Sequence, residues 1–152
     1  HGVGEKLKSL KLSATLHWVI VPSQGGLSTP EVFKRLDELR ESAGEKFEDA
    51  NYLVDPHYLI DALAEGNPFD IAEFMQNDLQ EAALDLMPSL AITMQDGVRC
   101  GAIKAMVSGS GPTVVLLAGS APAAAEVASQ MRLLGYEALT ARSDSLGAVI
   151  ES

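Results

Sequence analysis

The chain has 152 residues, of which 47% are hydrophobic, and this length suits one domain with a packed core. Its formal net charge is −10, and no lysine or arginine occurs between Lys46 and Arg99, so a basic surface for nucleic acid is excluded over this stretch. The single cysteine, Cys100, excludes an internal disulfide and fits a cytoplasmic protein, and no apolar run is long enough to cross a membrane.

Two strands and a helix are predicted in the first third of the chain. A half-exposed strand at 6–12 precedes a buried strand at 14–22, which is apolar on both faces and rich in residues that favour β-structure. A helix begins at Ser28-Thr29-Pro30-Glu31, which combines a capping hydroxyl, a proline in the first turn and a glutamate placed for a capping box. Apolar side chains then follow at helical spacing, at Val32, Phe33, Leu36 and Leu39.

The remaining pattern predicts short helices followed by a hairpin, a helix and strands. A polar stretch at 42–52 predicts an exposed loop, and four short helices begin near Asp55, Asn67, Asn77 and Pro88. The last predicted elements are hairpin strands at 102–107 and 113–117, an alanine-rich helix at 122–134, and strands at 136–142 and 146–150. This order predicts one α+β domain over 1–152, a small, mostly antiparallel sheet covered by helices.

The connection between the two hairpin strands is the strongest candidate for ligand contact. It is Ser108-Gly109-Ser110-Gly111-Pro112-Thr113. Its glycines permit positive φ and close approach of the backbone, and consecutive N–H groups can bind a phosphate together with the serine hydroxyls. A glycine-rich hairpin turn without a ligand explains the same residues. If the loop does bind phosphate, a bulky side chain at Gly111 is expected to block its approach.

No other motif predicts a complete active site. The chain contains no Walker A loop, no GxGxxG after a strand and no GxSxG elbow, and its histidines lack metal-ligand spacing. We expect His17, inside an apolar strand, to be a core or interface residue and His57 to be solvated. Lys104 is either an exposed strand lysine or close enough to approach a phosphate. The sequence thus offers one element for ligand contact but neither catalytic residues nor a metal site. This combination indicates half of a bipartite active site. Because no initiator methionine precedes His1, we expect a chain cut from a longer protein or a tag remnant.

The glycine loop between two strands resembles the third conserved motif of the GHMP kinases, which include the galactose, homoserine, mevalonate and phosphomevalonate kinases. Three features together resemble the bacterial branch that acts on diphosphocytidyl-methylerythritol in non-mevalonate isoprenoid synthesis. They are the strand, glycine and helix start at 17–33, Asn77-Asp78-Leu79 ahead of an alanine-rich helix, and Gly101-Ala102 leading into the loop. The resemblance extends from about residue 4 to residue 150 and covers the C-terminal half of such an enzyme.

The resemblance implies a substrate-side domain with a ferredoxin-like α+β sandwich. The family's N-terminal half carries the ATP phosphate loop, the catalytic aspartate and a nearby lysine, so ATP and Mg²⁺ would be bound mainly there and this chain alone would be inactive. Gly109, Ser110 and Gly111, beside Ser108, would line the cleft where the substrate meets the ATP γ-phosphate, and Thr29 would lie on the substrate side. The implied partners are a small-molecule substrate and the N-terminal half, with no nucleic acid and no membrane. The alternatives are another GHMP kinase, such as homoserine kinase, or a non-enzymatic α+β domain that senses a small molecule.

Overall fold

A four-stranded antiparallel sheet is the centre of the described part of the chain. The computed structural model describes residues 10, 12–23, 25–44 and 55–143. The strands, in the sheet order β2-β3-β1-β4, are β1 (His17–Val21), β2 (Lys104–Val107), β3 (Val114–Ala118) and β4 (Leu139–Arg142). The helices are α1 (Thr29–Ser42), α2 (Pro56–Glu65), α3 (Pro68–Phe74), α4 (Gln80–Leu86), α5 (Ser89–Arg99) and α6 (Ala121–Leu133). The predicted α+β class and its mostly antiparallel sheet are confirmed.

Helices cover both faces of this sheet, which explains why β1 is apolar at consecutive positions. Because side chains alternate across a strand, neighbouring residues of β1 lie on opposite faces. Val19 and Val21 belong to an apolar cluster that includes residues of α1, α4, α5 and α6. Trp18 packs against a second cluster, formed with residues of α2 and α3. The glycine loop therefore joins β2 and β3, two strands of a sheet that has helices packed on both of its faces.

Several helices begin at the local signals that the sequence predicted. The side chains of Asp55 and Asn67 accept hydrogen bonds from N–H groups in the first turns of α2 and α3, and a proline follows each of them. α2 ends at Glu65, and the residue that follows, Gly66, has a left-handed φ of +81°, which favours glycine.

The start of α1 differs from the prediction. Ser28 is the residue before the helix, but its side chain makes no capping hydrogen bond, so the predicted capping hydroxyl is wrong. Phe33 is 50% exposed, whereas Val32 and Leu36 are buried. The buried face of α1 is thus narrower than its apolar spacing suggested, and Phe33 lies outside it.

The contact between α5 and β3 depends on the absence of a side chain at Gly97. A Cβ atom at this position would lie 2.4 Å from Cδ2 of Leu116, which is fully buried. The helix can therefore approach the sheet at this distance only because position 97 is glycine.

Some predicted elements are shorter than expected or fall on residues that are not described. The strand predicted at 136–142 begins only at Leu139, because the N–H of Tyr136 still bonds to Met131 at the end of α6. Of the strand predicted at 6–12, only Leu10 and Leu12 are described, and neither is in a strand. The strand predicted at 146–150 and residues 45–52 of the predicted loop lie outside the described residues. In the described part of the chain, no helix is long and apolar enough to cross a membrane.

Candidate functional site

The loop from Ser108 to Thr113 is a closed hairpin turn. The N–H of Ser108 donates to the carbonyl of Thr113 at 2.8 Å, and the N–H of Gly111 donates to the carbonyl of Ser108 at 3.0 Å. Gly109 and Gly111 have φ values of +57° and +81°, so both occupy conformations that favour glycine. The hairpin-turn interpretation therefore describes the backbone correctly, and the capacity to bind a ligand depends on which polar groups the turn leaves free.

Two consecutive N–H groups of the loop have no hydrogen-bond partner in the described part of the chain. The N–H groups of Gly109 and Ser110 form no hydrogen bond with any described residue, whereas that of Gly111 is engaged within the turn. Ser108 and Gly109 are exposed, and Ser110 is partly exposed. Free backbone donors at adjacent positions are the element that binds anions in turns of this kind.

The two glycines of the loop face different surroundings. A Cβ at Gly109 would meet nothing within 4 Å, so this side of the loop is open. A Cβ at Gly111 would lie 3.1 Å from Cγ1 of Val107 and 3.2 Å from Cδ1 of Leu27, which is the packed side. A side chain at Gly111 would therefore meet the core, whereas Gly109 is the position next to open space. That a side chain at Gly111 would obstruct a phosphate stays a prediction.

Thr29, which the family resemblance places on the substrate side, lies beside the loop. It is the first residue of α1, and its Oγ1 shares a hydrogen bond of 2.9 Å with Oγ of Ser110. Either hydroxyl can be the donor. This contact brings two side-chain hydroxyls and the N-terminus of a helix of 14 residues to the free N–H groups, and a helix N-terminus favours anionic ligands.

On the other side of the loop, Asn77 makes contacts that the sequence did not indicate. Its Nδ2 donates to the carbonyls of Val107 at 2.7 Å and Gly109 at 2.8 Å, and its Oδ1 accepts from the N–H of Leu79 at 3.1 Å. Oε1 of Gln80 accepts from the N–H of Val107 at 3.0 Å. The Asn77-Asp78-Leu79 pattern predicted only a helix start, and α4 does begin just after it, at Gln80, although Leu79 is the residue before the helix and makes no side-chain capping bond. The contacts with the loop were not indicated because the loop is distant in sequence.

An ion pair connects the two helices that flank the loop. Nε of Arg35, on α1, donates to Oδ2 of Asp85, on α4, at 2.6 Å, and its guanidinium also contacts Glu38 at 2.9 Å. The hydrogen bond from Arg35 lowers the pKa of the Glu38 carboxyl below its ordinary value. Because the charged groups are partly exposed, the ion pair adds little to the free energy of unfolding. We infer that it helps to orient α1 relative to α4.

The other candidate side chains are not brought to the loop. His57 is exposed and contacts Asp55, as expected of a solvated histidine. Cys100 is buried, and burial raises the pKa of its thiol, which disfavours the reactive thiolate. Lys104 is at the opposite end of β2 from the loop, where it lines a cavity of about 480 Å³ together with Arg99. Among the described residues, no three His, Cys, Asp or Glu side chains are arranged to hold a metal ion.

The family model of the GHMP kinases, C-terminal region, matches residues 59–137, which include the glycine loop, Asn77 and Gln80. The chain belongs to the GHMP kinase C-terminal family. Two curated relatives are named 4-diphosphocytidyl-2-C-methyl-D-erythritol kinase. The relative from Corynebacterium jeikeium is 43% identical over 95% of this chain and 40% of its own length. The relative from Nocardia farcinica is 46% identical over 86% of this chain and 41% of its own length.

Solved structures of the GHMP kinases have the same fold. A crystal structure of 4-(cytidine 5'-diphospho)-2C-methyl-D-erythritol kinase superposes with a TM-score of 0.70 at 25% identity, over 93% of this chain and 47% of that one. The chain thus spans less than half the length of these GHMP kinases.

Proposed function

We propose that this chain is the C-terminal, substrate-side part of a kinase that transfers the γ-phosphate of ATP to a hydroxyl of 4-diphosphocytidyl-2-C-methyl-D-erythritol. The observation that carries the proposal is the pair of free N–H groups at Gly109 and Ser110, next to the hydroxyls of Ser110 and Thr29. It is supported by relatives that are named as this kinase and are 43% and 46% identical.

Phosphoryl transfer needs donors that neutralise and orient phosphate oxygens, and these residues supply donors without a reactive nucleophile. Gly109 and Ser110 would hold phosphate oxygens through the backbone, while Ser108, Ser110 and Thr29 offer hydroxyls nearby. Gly111 would act indirectly, because its N–H closes the turn. ATP and Mg²⁺ would be held mainly by an N-terminal domain outside this chain, so the 152 residues alone would be inactive. Mg²⁺ would supply charge neutralisation there.

Phe33 offers a further contact for such a substrate. It is 50% exposed and follows Thr29 by four positions on α1, so the two residues share one face of the helix. The named substrate of the relatives carries a cytosine base, and an exposed aromatic ring is a stacking surface for a base, worth about 1–3 kcal/mol. We propose that Phe33 contacts the base while Thr29 lies nearer the phosphates.

The test is a substrate comparison with the full-length kinase, measured by coupled ADP release with Mg-ATP. The expected result is turnover of 4-diphosphocytidyl-2-C-methyl-D-erythritol with kcat/KM about 10⁴-fold above that for homoserine or mevalonate, which lack the cytidyl and diphosphate groups. Preferred turnover of homoserine or mevalonate would identify a different GHMP kinase. Binding of a small molecule without turnover of any substrate would favour a sensing domain.

A further inference from the structure

We propose that Asn77 is a positioning residue: it holds the peptide group between Gly109 and Ser110 so that the N–H of Ser110 is turned toward the ligand. The kinetic part of this inference rests on the proposed function, whereas its structural part does not. Asn77 belongs to the segment before α4, and its hydrogen bonds to the hairpin, within the described part of the chain, go to backbone carbonyls. We therefore expect it to act through the loop rather than on a substrate.

The argument begins with the geometry of a trans peptide bond. In a planar trans peptide, the carbonyl of one residue and the N–H of the next point in opposite directions. Asn77 binds the carbonyl of Gly109 at 2.8 Å, so the N–H of Ser110 must point away from Asn77. The same rule is satisfied two peptides earlier: Asn77 binds the carbonyl of Val107 at 2.7 Å, and the N–H of Ser108 points across the hairpin to Thr113.

The amide of Asn77 is matched to this task by its two chemically different ends. Because both loop partners are carbonyl oxygens, the atom that faces them must be the NH₂ group, and each of its hydrogens has an acceptor. The oxygen end accepts from Leu79 at the start of α4. One side chain therefore ties the loop to the helix start, and a carboxylate of the same shape could make only the second contact.

Gln80 provides the matched control. Its Oε1 accepts from the N–H of Val107 at 3.0 Å, and a carboxylate can accept the same bond. Asn77→Asp and Gln80→Glu therefore add the same charge three positions apart. Only Asn77→Asp replaces two donated hydrogen bonds with an oxygen that faces two carbonyl oxygens. Asn77→Ser keeps an acceptor near Leu79 without added charge and serves as the second variant if Asn77→Asp does not fold.

The experiment measures hydrogen–deuterium exchange of the peptide containing 107–113 and steady-state kinetics of the full-length kinase. We expect Asn77→Asp and Asn77→Ser to speed exchange in this peptide and to lower kcat by on the order of 10²-fold with little change in KM, because the loop donors act on transferring charge. Gln80→Glu should leave both unchanged.

Each alternative result is decisive. Wild-type exchange at 107–113 in folded Asn77 variants would overturn the positioning role. Faster exchange with wild-type kcat would reduce Asn77 to a structural contact. If the wild-type kinase does not use the proposed substrate, the proposed function fails, and the exchange data still determine whether Asn77 orders the loop.

Discussion

Alanine at Gly109 is expected to impair catalysis far more than stability, whereas alanine at Gly111 should mainly destabilise the protein. Gly109 has φ +57°, and a left-handed alanine costs roughly 1–2 kcal/mol. Reduced entropy of the unfolded chain offsets about 0.4–1 kcal/mol of this. Since a Cβ at Gly109 meets nothing within 4 Å, no packing term is added, and the free energy of unfolding should fall by about 1 kcal/mol.

Gly111 combines a similar backbone cost with a packing cost. Its φ is +81°, and the added Cβ would lie 3.1 Å from Val107 and 3.2 Å from Leu27. Crowding of a packed core adds about 1–3 kcal/mol, so Gly111→Ala should lose about 2–4 kcal/mol in total. Urea denaturation of the full-length kinase measures both losses.

The kinetic consequence separates the two positions. The methyl group of Gly109→Ala would enter the open space beside the free N–H groups and displace the reacting phosphate, lowering kcat/KM by about 10²-fold. Gly135→Ala is the matched control, because Gly135 has φ +94°, open space around its Cβ and a position after α6. It should lose comparable stability and keep full activity. Wild-type kinetics in folded Gly109→Ala would refute the assignment of this side of the loop to the ligand.

Three further substitutions test the surrounding contacts. Thr29→Ala should raise the substrate KM and change the unfolding free energy by no more than about 1 kcal/mol, because Thr29 bonds to Ser110 rather than capping α1. Thr29→Ser should retain the wild-type KM. Equal kinetics for all three proteins would contradict a role of Thr29 in substrate binding. Phe33→Leu should raise KM for the cytidyl substrate about tenfold or more in the ADP-release assay, and Phe33→Tyr should not, so a normal KM in Phe33→Leu would exclude base stacking. Gly97→Ala should lower the unfolding free energy by about 1–2 kcal/mol, because the added Cβ would collide with buried Leu116 and this outweighs the higher helix propensity of alanine. A more stable variant in urea denaturation would contradict this and show that α5 can shift outward.

Local chemistry made much of this fold predictable from sequence alone. The Asp55-Pro56 and Asn67-Pro68 pairs predicted helix starts correctly, because a capping side chain and a proline act within one turn. β1 was predicted as buried because it is apolar at consecutive positions, and the structure places clusters on both of its faces. The glycine loop was also predictable from local sequence, because Gly109 and Gly111 have positive φ, a backbone conformation that glycine adopts more easily than other residues.

The arrangement around the loop was decided by tertiary packing. Thr29 and Ser110 are 81 positions apart, and Asn77 is 30 positions from Val107, so no spacing rule connects them before α1 and α4 pack beside the sheet. The same packing decided the surroundings of individual side chains. Phe33 is exposed because α1 buries a narrow face, and Gly111 rather than Gly109 faces the core because of how the hairpin meets Leu27 and Val107. Sequence determines which residues can cap, turn or bury, whereas contacts between distant residues exist only once the helices have docked.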